Sequence, residues 1–205
     1  MSHSLRSLVY TALFAALFIV MSYIKIPLGF TAVPLSLQPL AVMLAGAFLG
    51  PVYGFLSIFS VIALAAVGLP LIQGNGGLSL MLGFTGGFLW MFPVCAWAVG
   101  LATGRLLRSR GLARQKTLRA GALFVTIFFC GSLSYLAGVP WYTHVADISL
   151  SKAMVAAMYP FLPGDVIKAV VATILVLALR AYAPQLQTAT RRRGSGYAGE
   201  FASKS

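Results

Sequence analysis

Pro163-Gly164-Asp165 followed by Lys168 is the sharpest chemical signal in the chain. Proline and glycine act as punctuation, so Asp165 falls in the first turn of a helix, where a carboxylate suits the positive end of the dipole. Lys168 is three residues on and shares its helix face. Both stand at the edge of an apolar run, and ionisable groups near a membrane interior usually face a cavity or a transport path. A dipole partner with an intrahelical ion pair is the plainer account. It explains Asp165 more easily than Lys168, which must snorkel or find a partner one turn into the run. A second set lies in LPLIQGNGGLSLMLGFT, residues 69–85. Gln73 and Asn75 carry amides that donate and accept at once. Gly74, Gly76 and Gly77 either let backbone approach a ligand closely or simply make a flexible turn. Gln38 opens another apolar run, as an interfacial polar residue or a ligand contact. Phe30, Phe84, Phe88, Trp90, Tyr135, Trp141 and Tyr142 are candidates for an apolar pocket wall, the Trp and Tyr residues also for an interfacial belt.

These residues do not assemble into a catalytic set. His3 and His144 stand in different segments, no Ser/His/Asp group is evident, and no His/Cys cluster has metal-ligand spacing. No Lys-Ser/Thr pair follows the glycines, so a phosphate loop is absent and any ATP must be handled by a partner. The three acids, Asp147, Asp165 and Glu200, are too few for a carboxylate dyad with a proton relay. The sequence therefore predicts no enzyme, no metal and no cofactor.

The elements that must position these groups are membrane helices. Of 205 residues, 60% are hydrophobic and 9% charged, against roughly 25% charged in a soluble domain. A span needs about 20 mostly apolar residues, and six are expected: Leu8–Ile24, Gln38–Leu49, Val52–Gly68, Gly86–Leu107, Ala120–Gly138 and Pro163–Tyr182. The first could mimic a signal peptide, but it runs into Lys25 and Pro27 without a small-residue cleavage site and reads as a retained span. The second is short, and Gly50-Pro51 is expected to turn it tightly into the third. Residues 1–183 read as one all-α membrane domain and 184–205 as a basic, disordered tail.

With both termini inside, twelve of the fifteen Lys/Arg residues fall on the cytoplasmic side, leaving Lys25, Lys152 and Lys168 outside. The positive-inside rule then sets N-in, C-in. RLLRSRGLARQKTLR, between the fourth and fifth spans, reads as a solvated loop beside anionic lipid rather than a nucleic-acid site. The three outer segments, Lys25–Leu37, Leu69–Thr85 and Val139–Leu162, are long, apolar and rich in aromatics, Gly and Pro. They are expected to fold over a cavity opening outward. Cys95 and Cys130 lie in apolar runs and read as free thiols. Ala12 and Ala16 are spaced to admit a second helix, inside the protein or from a partner.

The runs VPLSLQPLAVMLAGAFLGPVYGFLSI, GLPLIQGNGGLSLMLGFTGGFL and FLPGDVIKA together resemble the BioY family, the biotin-specific S components of energy-coupling factor (ECF) transporters. The resemblance extends to about Arg180. Ser36 stands where the family often has Thr, and Phe84 where it often has Pro. The resemblance implies a six-helix S-component fold in a prokaryotic cell membrane, with a biotin pocket near the outer surface. It implies that Asp165 and Lys168 contact the ligand with help from the loop around Asn75. It further implies that Ala12 and Ala16 dock on a transmembrane coupling protein working with two ATPase subunits, and that the S component topples in the bilayer to deliver its cargo. Gln38, Gln73, Tyr135 and Phe84 complete the expected binding set. Lipoate or another carboxylated vitamin is the rival ligand. A small membrane transferase and a passive channel or scaffold are the rival classes.

Overall fold

The computed structural model describes residues 3–108 and 116–179. The predicted tail and residues 109–115 of the basic loop between the fourth and fifth spans lie outside them. Helix α1 (His3–Tyr23) leads into a short antiparallel hairpin, β1 (Lys25–Ile26) and β2 (Leu35–Ser36). Helices α2 (Gln38–Ala66), α3 (Leu78–Leu82) and α4 (Gly86–Arg108) follow. Then come α5 (Lys116–Gly131), α6 (Ser134–Ala146), α7 (Leu150–Ala157) and α8 (Leu162–Leu179). Among the described residues, five stretches are long and apolar enough to cross a membrane: Leu5–Tyr23, Gln38–Ala66, Gly86–Leu107, Lys116–Ala146 and Leu162–Leu179.

The longest helix, α2, is broken where the sequence places its turn. Gly50 has φ 77° and ψ −176°, a region essentially reserved for glycine. A Cβ on Gly54 would come 3.0 Å from the Cα of Gly46. Eight residues of straight helix would hold those atoms about 12 Å apart, so the chain reverses and its two limbs lie side by side. Helix α4 packs into the bend: a Cβ on Gly100 would stand 2.5 Å from the carbonyl carbon of Gly50. The first limb can be short because protein, not lipid, surrounds it. Residues 40–50 are all buried, so its ends need not reach both membrane faces.

Two expectations about the outer segments need correction. The fifth span does not stop at Gly138, and Val139–Leu162 is largely helical rather than a loop. Helix α6 continues through Pro140 to Ala146, where Asp147 in the left-handed region ends it (φ 51°). Leu133, at the junction with α5, keeps helical dihedrals (φ −56°, ψ −22°), so residues 116–146 form one apolar stretch. Pro140 does not interrupt it, because proline is tolerated in membrane helices where surroundings satisfy the freed carbonyl. Helix α7 then covers half of the remaining segment, residues 147–162. The first outer segment also contains the unpredicted β1–β2 pairing, in the register Lys25↔Ser36 and Ile26↔Leu35.

The apolar core falls into two clusters. One gathers Phe18, Ile58, Ile62, Phe88, Phe92 and Phe161 with the outer segments. The other gathers Met43, Phe48, Val99, Leu123, Ile127 and Val176. Leu8, Leu13, Phe129, Leu136, Ile167 and Ile174 are exposed, as side chains facing lipid would be. Cys95 and Cys130 are free thiols.

Candidate binding site

Asp165 is fixed by the first turn of α8, its backbone N–H donating to Phe161 O at 2.9 Å. Its side chain points inward and is 4% exposed. Lys168, one turn on and 6% exposed, donates from Nζ to Asp165 Oδ1 at 2.8 Å. The other carboxylate oxygen, Oδ2, accepts from the Tyr135 hydroxyl at 2.5 Å. The pair is thus more than a surface ion pair. It is buried, and a phenol from α6 holds it from the opposite side. Tyr135 is itself braced edge-on by Phe88 of α4, with ring centroids 5.8 Å apart.

This triad forms part of the wall of a narrow cavity, about 60 Å³, between the outer segments and the helix ends. Phe88, Leu89, Phe92 and Phe161 give it apolar and aromatic walls, and Val33, Pro34 and Ser36 contribute from the first outer segment. Gln38 also lines it from the start of α2, with Pro39 in the first helical turn. The Ser36 hydroxyl donates to Gln38 Oε1 at 3.2 Å. Gln38 Nε2 is buried with no hydrogen-bond partner. A buried, unpaired amide donor is expensive, and it suits a ligand acceptor.

A second cavity, about 340 Å³ and more open, adjoins the first and shares Pro34, Gln73 and Thr85 with it. Its other walls include Lys25, Pro27, Thr31, Ser79 and Phe84. Gln73 therefore stands between the two spaces. It adopts a positive φ of 56°, and its backbone N–H donates to the buried Ser22 hydroxyl at 3.0 Å. That bond ties the second outer segment to the end of α1. Tyr23 adds another tie, donating from its hydroxyl to Pro70 O at 3.0 Å.

The structure thus brings Asp165, Lys168, Tyr135, Gln38 and Gln73 to one cavity and places Phe84 on the adjoining one. Asn75 lines neither. It is exposed, and its Nδ2 donates to Gln73 O at 3.2 Å. Of the other aromatics, Phe88 joins the wall. Tyr142 is buried against Phe84, Phe30 is 67% exposed, and the Trp90 and Trp141 indoles donate to Met81 O and Gly83 O. Several cavity residues escaped the sequence reading: Ser134, Thr85, Leu89, Phe92 and Phe161. Phe92 was accessible, because it sits one helical turn from Phe88. Ser134 carried a fainter signal, as a hydroxyl inside an apolar run. Ala12 and Ala16 lie far from this set, both exposed on α1 in a stripe with Leu5, Leu8, Leu13 and Val20.

Residues 1–185 match the model of the BioY family. The chain belongs to the BioY family. Among the relatives it resembles, the biotin transporter BioY of Rhizobium etli is 38% identical over 89% of this chain and 97% of its own length. The biotin transporter BioY of Rhodobacter capsulatus is 39% identical over 87% of this chain and 95% of its own length. A crystal structure of the S component for biotin from an ECF-type ABC transporter superposes with a TM-score of 0.77 at 30% identity, covering 88% of this chain and 95% of that one. The BioY chain described here accordingly has the S-component fold, is a multi-pass protein of a prokaryotic cell membrane, and falls in a family of transporter components rather than enzymes.

Proposed function

We propose that this chain captures biotin from outside the cell and delivers it inward as the substrate-binding subunit of an ECF transporter. The observation that carries the reading is the Tyr135–Asp165–Lys168 triad, buried in an aromatic-walled cavity beside the unpaired Gln38 Nε2. Biotin's ureido ring offers two N–H donors and one carbonyl acceptor. Asp165 accepts from a ureido N–H, while Lys168 and Gln38 are the donors available to a carbonyl. Phe88, Phe92 and Phe161 shelter the fused rings. An analogue lacking the ureido group would leave these buried polar groups unpaired, which is how such a site discriminates strongly. Gln73 and Phe84 complete the binding set as contacts to the ligand's outer part.

In this reading the described cavity lies toward the outside, both termini are cytoplasmic, and residues 1–183 act as one membrane unit of six helices. The exposed Ala12/Ala16 stripe docks on the transmembrane coupling protein, and two ATPase subunits supply the energy. The chain binds no metal or cofactor of its own and catalyses no reaction. Equilibrium binding of radiolabelled biotin to the purified protein in detergent tests the reading, with unlabelled biotin and lipoate as competitors. Saturable one-to-one binding that lipoate does not displace supports it. A folded, monodisperse sample that binds no biotin refutes it.

A further inference from the structure

Within the inner cavity the ionic groups cancel. Lys168 is bonded to Asp165 at 2.8 Å, so a second anion brought beside that carboxylate would be repelled as much as attracted. The other described acid, Asp147, lines neither cavity. The outer cavity has a different balance. Lys25 is the charged residue in its wall, and among the described residues no ion pair engages it. Its position is set by the β1–β2 register, in which Lys25 is directly opposite Ser36. Residues opposite one another on antiparallel strands present their side chains to the same face. Ser36 lines the inner cavity, so Lys25 projects from the same face of the hairpin into the space just outside it. Pro34, Gln73 and Thr85 belong to both cavities, so the two adjoin across these shared side chains.

We infer that Lys25 forms a carboxylate subsite at the mouth of the cavity, which receives the acidic tail of a ligand whose neutral, hydrogen-bonding head lies at the Asp165–Lys168 pair. The inference rests on the proposed biotin reading, and it assigns the ligand's polarity: ureido ring inward, valerate carboxylate outward. Lys168 is then reserved for the head. The subsite selects for an anionic tail, and its uncompensated charge steers carboxylates toward the opening at low salt. Because Lys25 is exposed, the preference is modest, about fivefold, as for an ion pair in contact with water.

The test compares biotin with its primary amide, which keeps the ring and chain but loses the charge. Binding to the full-length protein in detergent is measured for the unaltered chain, Lys25→Gln and Lys25→Arg. The unaltered protein should prefer biotin over the amide about fivefold. Lys25→Gln should erase the preference by weakening biotin alone, and Lys25→Arg should retain it. Raising the salt concentration should weaken biotin binding to the unaltered protein and leave the amide unchanged, a readout that needs no variant. Equal affinity for biotin and the amide in the unaltered protein, or a preference that survives Lys25→Gln, overturns the subsite while leaving biotin as the ligand. Failure of the unaltered protein to bind biotin at all overturns the functional reading and the subsite with it.

Discussion

Replacing Asp165 with Asn removes one charge and keeps the shape, so it separates the electrostatic role of this residue from its packing. Two consequences follow from the geometry. Asp165 and Lys168 are 4% and 6% exposed and bonded at 2.8 Å. Removing one partner leaves a buried ammonium uncompensated, which costs about 3–5 kcal/mol of stability. Binding suffers separately. An amide offers one acceptor where the carboxylate offers two, and its NH2 group turned toward a ureido N–H leaves two donors facing each other. The loss of a charged acceptor and the burial of an unpaired donor together weaken biotin by about 1–3 kcal/mol, or roughly 5- to 150-fold in Kd. Equilibrium dialysis with radiolabelled biotin measures the affinity, and thermal unfolding in detergent measures the stability. The double variant Asp165→Asn/Lys168→Gln restores neutrality, so it should recover part of the stability while leaving binding weak. That non-additivity is the signature of a coupled pair. A well-folded Asp165→Asn protein with affinity within twofold of the original would refute the argument and remove Asp165 from the site.

Other consequences are simpler to state. Tyr135→Phe deletes the hydroxyl that donates to Asp165 Oδ2 but keeps the ring against Phe88; it leaves a buried carboxylate oxygen without that donor, so thermal stability should fall by about 1.5–3 kcal/mol and biotin affinity by about 0.5–1.5 kcal/mol. Gly50→Ala forces a side chain into φ 77°, ψ −176° and should cost about 1–3 kcal/mol, read as a lower unfolding temperature, although open space surrounds the position. Ala16→Trp on the exposed stripe of α1 should leave biotin binding to the isolated protein intact and abolish ATP-dependent uptake in reconstituted vesicles. Unimpaired uptake would move the docking face elsewhere.

The parts of this molecule that were legible in sequence are those encoded within one element. Asp165 and Lys168 reach one helix face by spacing alone, and Gly50-Pro51 announces its own turn. Tyr135 illustrates what is not local. Nothing in residues 130–140 reports that the phenol will meet a carboxylate thirty positions later, because that contact is made by packing α6 against α8. Pro140 shows the reverse error. A proline that disfavours a helix interior in water is carried within α6, and the helix runs to Ala146 where the expected fifth span ended at Gly138. The β1–β2 pair is two residues on each side, too short for an alternating pattern to register. Asn75 was singled out for its chemistry, yet the backbone bridge between Ile72 and Asn75 closes the turn beneath it and leaves its amide on the loop exterior.

The cancellation of charge at the Asp165–Lys168 pair also bears on energetics across the bilayer. A net elementary charge moved through the membrane potential exchanges about 2.3 kcal/mol per 100 mV. The pair joins one acid to one base and sums to zero, so it adds no net charge to whatever reorients with the cargo. A carboxylate held by Lys25 would cancel in the same way. On the proposed transport reading, the loaded site itself then gives voltage no net charge to act on, and the direction of transport falls to ATP hydrolysis on the partner subunits.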